Sequence, residues 1–219
     1  MILGHCVLLP YRPYKHVIYS FHMPLFFFIS GLLKRKKEQK FSVFVKNKAK
    51  SLLIPLLAWN IVSTVFFMII GYNRDKLIYG AFFINGMLPG NTPIWFLLNL
   101  FLCEVCYEIL SSHKVPDIAI IIPLLLSGLI ICRVEIIPFT LYILPFSLSF
   151  YATGSMLRPI ILEGEFTAKK KIALPVTLMF SILFGLILNG RITMARGYYD
   201  NILFFLVGSF CGVIAWTLI

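Results

Sequence analysis

Two of the four histidines, His5 and His22, lie inside apolar runs, whereas His16 and His113 fall in polar connections. Imidazole titrates nearest to neutrality of all the side chains, so a histidine held away from bulk water is suited to taking a proton from an attacking hydroxyl. The same side chain near a helix end also serves as a packing or hydrogen-bonding group. Position alone leaves both uses open for His5 and His22. Glu104 and Glu108 stand one helical turn apart within another apolar run. Intramembrane carboxylates are costly and face a protein interior or a wet cavity, so Glu104 is expected either to pair with a Lys or Arg of another helix or to act directly. Cys103 and Cys106 form a C-x-x-C, yet neither a second pair nor a neighbouring histidine completes a ligand set. The five cysteines are expected to be packed thiols, and no metal is expected. The chain contains no glycine-rich phosphate loop, H-E-x-x-H or G-x-S-x-G, which removes several classes of hydrolase and nucleotide-binding enzyme.

The elements that must position these residues are membrane helices. With 59% hydrophobic and 13% charged residues and a mean hydropathy of +0.90, the chain is far more apolar than a soluble domain of its 219 residues. Apolar runs cover 17–33, 51–71, 94–111, 118–132, 136–157, 172–189 and 202–219, and residues 1–9 cover under half a bilayer. The fold class expected is therefore all-α: a polytopic transmembrane helix bundle, with seven full crossings plus the remnant of a first helix, forming one domain over 1–219. No cleavable signal peptide is read at the start. In the first full run, Ser20, Pro24, Phe27 and Gly31 recur at helical spacing and define a small face that admits a neighbouring helix. In the 94–111 run, Trp95, Asn99, Cys103 and Cys106 share one side, and Glu104 and Glu108 are expected roughly opposite. Pro55 is expected in the first turns of the 51–71 helix, where a missing N–H costs little. Residues 72–93 read as an exterior loop, re-entrant or interfacial.

The net charge of +11 does not point to nucleic acid, because it is not spread over a surface. Eight of the twenty basic residues crowd into 34–50. A connection dense in Lys and Arg beside apolar runs marks the cytoplasmic side of a membrane. Alternating the crossings from there puts thirteen of the twenty basic residues on the same side. This orientation implies a multi-pass protein of the cytoplasmic membrane whose first partner is the lipid bilayer.

Four strings carry a more specific signal: ILGH at 2–5, FHMPLFFFISG at 21–31, TPIWFLLNLF at 92–101 and NGRITMARGYYDNILFF at 189–205. Together they resemble the integral membrane acyltransferase-3 family, in the branch of fucose 4-O-acetylase and O-antigen acetylases. The resemblance implies an O-acyltransferase that takes acetyl from cytoplasmic acetyl-CoA, without a metal, and passes it to a hydroxyl of a carbohydrate or glycolipid of the cell envelope. It implies His5 as general base, with His22 binding the acceptor or assisting proton transfer. Lys34, Arg35 and Lys50 are then expected at the donor phosphates. Trp95 and Asn99 are expected along the acceptor path, and Arg191, Arg196 and Asp200 beside the sugar. Family members carry an arginine about ten residues before the histidine and about ten crossings. This chain is accordingly expected to be partial at both ends: a fragment, a start set too late, or an inactive copy. A transporter or flippase, and a non-catalytic membrane subunit, are the readings that compete with an enzyme.

Overall fold

The computed structural model describes residues 13–34, 39–73, 75, 77, 94–131, 138–162, 167–187, 192–194 and 197–218. These are mostly helical, in seven helices. In chain order they are Pro13–Leu32 (α1), Phe41–Ile69 (α2), Trp95–Ser112 (α3), Asp117–Ile131 (α4), Leu144–Leu162 (α5), Thr167–Ile182 (α6) and Ile202–Leu218 (α7). Two of them, α2 with 29 residues and α3 with 18, are long and apolar enough to cross a membrane. Tyr19–Leu32, Asp117–Ile131, Ala173–Ile182 and Ile202–Leu218 are apolar but shorter. The expectation of a helical fold is met among the described residues, two of whose helices combine the length and the apolarity of a full span.

Helix α2 departs from the expected element at its start. It begins at Phe41 rather than Ser51, so the second half of the basic connection is helical. Pro55 still lies in the first turn of the regular α-helical stretch Ile54–Ile69, as expected, although the continuous helix starts at Phe41. Proline removes an N–H and crowds the carbonyl four residues back, and the backbone widens into a π turn over Ala49–Leu53 just before it. The helix ends in a Schellman motif: Gly71 adopts φ 83°, Tyr72 N–H donates to Phe67 O at 2.9 Å and Gly71 N–H to Met68 O at 3.1 Å. Helix α3 closes in the same way around Lys114, at φ 56°, and Pro116 then prevents it from continuing.

The contacts gather into two compact units, residues 1–34 with 149–219, and residues 35–148. In the first, α7 packs on α6 and on α1. The small face of α1 is where the packing occurs: Ser20, Pro24, Phe27 and Gly31 are all buried. A Cβ at Gly31 would collide with the carbonyl oxygen of Tyr151, and one at Gly154 with that of Phe28, so two glycines let these backbones touch. The connection before α7 is a hairpin rather than a plain loop, with Ile192–Thr193 (β1) antiparallel to Tyr198–Tyr199 (β2) and Gly197 turning at φ 60°. Asn201 caps α7 by accepting from Phe204 N–H at 3.1 Å. In the second unit, α3 is packed by the π turn of α2 and by a 3₁₀ turn over Pro138–Ile143.

Candidate functional site

His22 sits on α1, and the packing of that helix decides what the imidazole can reach. Phe21 stacks on Trp216 of α7 with centroids 6.1 Å apart, and Ser209 Oγ donates to Ser20 O at 2.5 Å. These neighbours turn the 20–21 side of α1 into the bundle. His22 lies on the other side with the exposed Phe26 one turn on, half-buried, its ring edge-to-face against Tyr19 at 5.0 Å. A half-open imidazole next to a tyrosine can exchange a proton with a ligand without crossing the packed seam. His5, Arg35, Arg191 and Arg196 lie outside the described residues, and so does most of 72–93.

Lys34 is half-buried where the chain leaves α1. The terminus there is held by a residue that sequence reasoning did not single out. Arg158 Nη1 donates to Leu32 O at 2.8 Å and to Lys34 O at 3.0 Å, satisfying carbonyls that the last turn of a helix leaves open and placing positive charge at the negative end of its dipole. The only sequence signal was an arginine at the polar end of an apolar run.

In the second unit, Trp95, Asn99, Cys103, Glu104 and Tyr107 of α3 are all buried. Glu104 stands roughly opposite Trp95 and Asn99 by helical spacing, and both sides are enclosed, so α3 is covered on more than one side. Lys48 Nζ lies 2.6 Å from Glu104 Oε1, with the glutamate side chain 8% and the lysine 36% exposed. Of the two roles open to Glu104, the structure supplies the interhelical pair. The same ammonium stands 5.9 Å from the centre of the buried Phe44 ring. Tyr107 Oη donates to Asp117 Oδ1 at 2.6 Å, tying α3 to the first turn of α4. Lys50, two residues past the ion pair, is exposed. Cys103 is a buried free thiol and Cys106 a half-buried one. Among the described residues no group of three or more His, Cys, Asp or Glu is arranged to hold a metal ion.

The geometry thus offers a half-open imidazole, a buried glutamate paired to a half-buried lysine of another helix, and exposed lysines in helices of membrane type. No curated protein and no solved structure matches the chain. The profile of the family-3 acyltransferase domain matches residues 1–219, the whole length on which these groups are carried. With that coverage, the chain belongs to the acyltransferase-3 family and is, by this resemblance, an acyltransferase.

Proposed function

We propose that the protein transfers acetyl from cytoplasmic acetyl-CoA to a hydroxyl of a cell-envelope carbohydrate or glycolipid, with His5 as general base. The observation that carries the reading is the family match over the entire chain. His5 takes the proton of the acceptor hydroxyl as its oxygen bonds to the acyl carbon. The carbon–sulfur bond breaks, and the thiolate leaves towards the cytoplasm, where it is protonated. The bound donor supplies the activated thioester. His22 orients the acceptor or relays its proton from the half-open side of α1. Trp95 and Asn99 line the acceptor path, and Arg191 and Arg196 contact the sugar. Lys34, Arg35 and Lys50 hold phosphate groups, and the exposure of Lys50 suits that use. The thirteen basic residues on one side support a cytoplasmic 34–50 segment and a location in the cytoplasmic membrane.

Acetyl transfer from labelled acetyl-CoA, measured in membranes carrying the full-length protein, tests this. His5→Ala is expected to lower turnover by about 10²-fold or more at unchanged protein level, since a positioned base contributes about 10²–10⁴-fold. His22→Ala is expected to have the smaller effect. Turnover retained in His5→Ala removes that residue from the mechanism.

A further inference from the structure

The lysines of α2 have two different fates. On the inner face, the buried Phe44 and, one turn later, Lys48 point towards α3. On the outer face Lys46 and Lys50, also one turn apart, are both exposed. Lys48 is thereby removed from the set of free cations. Its ammonium is neutralised by Glu104, a carboxylate more than nine-tenths buried whose Oε2 has no hydrogen-bond partner among the described residues.

A helix takes its rotation about its own axis from the face it packs, and along the rest of α2 that face, Leu56, Asn60, Ser63 and Phe67, is only half-buried. Over Ile54–Ile69 no residue is buried. A half-covered face by itself leaves several rotations open. The ion pair distinguishes them, because turning α2 by one residue position, about 100°, would carry Lys48 off Glu104 and leave the buried carboxylate uncompensated. The π turn immediately after Lys48 packs on α3, so the pair and the backbone widening act at one place.

We infer that Glu104 is a positioning residue for donor recognition: through Lys48 it fixes the rotation of α2, so that Lys46 and Lys50 stand together as one outward cationic face for phosphate esters. The inference rests on the reading of the donor as a coenzyme A thioester. Phosphate esters also occur in anionic lipid headgroups, and the experiment separates the two sources.

The test is equilibrium binding of labelled coenzyme A to the full chain in bilayer discs of neutral lipid, with retention of added anionic lipid followed in parallel. The Lys46→Ala/Lys50→Ala variant leaves the ion pair intact and is expected to weaken coenzyme A binding about tenfold, as for loss of charge-assisted contacts. Glu104→Gln is expected to weaken it in the same direction. The reversed pair, Lys48→Glu with Glu104→Lys, is expected to restore binding to near the wild-type value, which a loss of packing alone would not do. If Glu104→Gln fails to fold, the reversed pair carries the test: binding near wild type supports the inference, and a folded but weakened protein overturns it. Unchanged binding in Glu104→Gln, alongside weakened binding in the Lys46→Ala/Lys50→Ala variant, overturns the positioning role and leaves the donor reading standing. A wild-type chain that binds no coenzyme A overturns both. Loss of anionic-lipid retention with unchanged coenzyme A affinity assigns the face to lipid and overturns the donor assignment.

Discussion

The two units hold their helices together by different chemistry. In residues 1–34 with 149–219 the contacts are close and uncharged: Gly31 and Gly154 bring α1 and α5 to backbone contact, Gly212 admits Phe21 and Ser181, and Ser209 donates to a main-chain oxygen of α1. In residues 35–148 side-chain charges do comparable work, through Lys48 with Glu104 and Tyr107 with Asp117. Lipid tails are as apolar as leucine, so burial of apolar surface gives helices little reason to associate; van der Waals contact and hydrogen bonds must supply it. The contrast shows both routes in one chain. Close packing is insensitive to solvent but tolerates no added atoms. A charge pair tolerates reshaping but not the loss of one partner.

Substitutions at the two kinds of contact sharpen that difference. The largest loss is expected from Gly31→Val, because its new Cβ meets a carbonyl oxygen of Tyr151 that cannot rotate away. A cost of about 3 kcal/mol or more, beyond ordinary overpacking, should appear as a lowered midpoint in detergent unfolding or as failure to accumulate folded protein. Next comes the charge pair, with a marked asymmetry. Lys48→Met leaves the buried Glu104 unpaired and is expected to cost about 3 kcal/mol in the same assay, whereas Glu104→Gln frees a lysine that reaches water and should cost about 1 kcal/mol. Equal losses for the two variants would show that Glu104 is not the more buried partner. The smallest effect is expected for Ser209→Ala, which removes a single hydroxyl-to-carbonyl hydrogen bond worth about 0.6 kcal/mol between membrane helices. If Ser209→Ala cost as much as Lys48→Met, the distinction between the uncharged and charged units would collapse.

Much of the fold was legible because it is local. Among the described residues each of the seven long apolar runs contributes a helix, and the small face of α1 follows from i, i+4 spacing. The start of α2 was missed because polar lysines masked a helical pattern in which Phe44 and Lys48 share a face. Weighing position 48 against its apolar neighbour four residues earlier would have found it. The hairpin at 192–199 was missed because its strands are two residues each, too short for an alternating pattern to show.

The sequence by itself determined that the chain is helical, has helices of membrane-type apolarity and carries the strings of an acyltransferase family, because hydropathy, turn chemistry and short motifs are written in adjacent residues. Only the tertiary structure decided which of eight lysines and arginines in one segment meets Glu104, 56 positions away, and that Arg158 closes a helix ending 126 positions before it. Partners so distant along the chain are chosen by how helices lie against one another, and no local pattern encodes that choice.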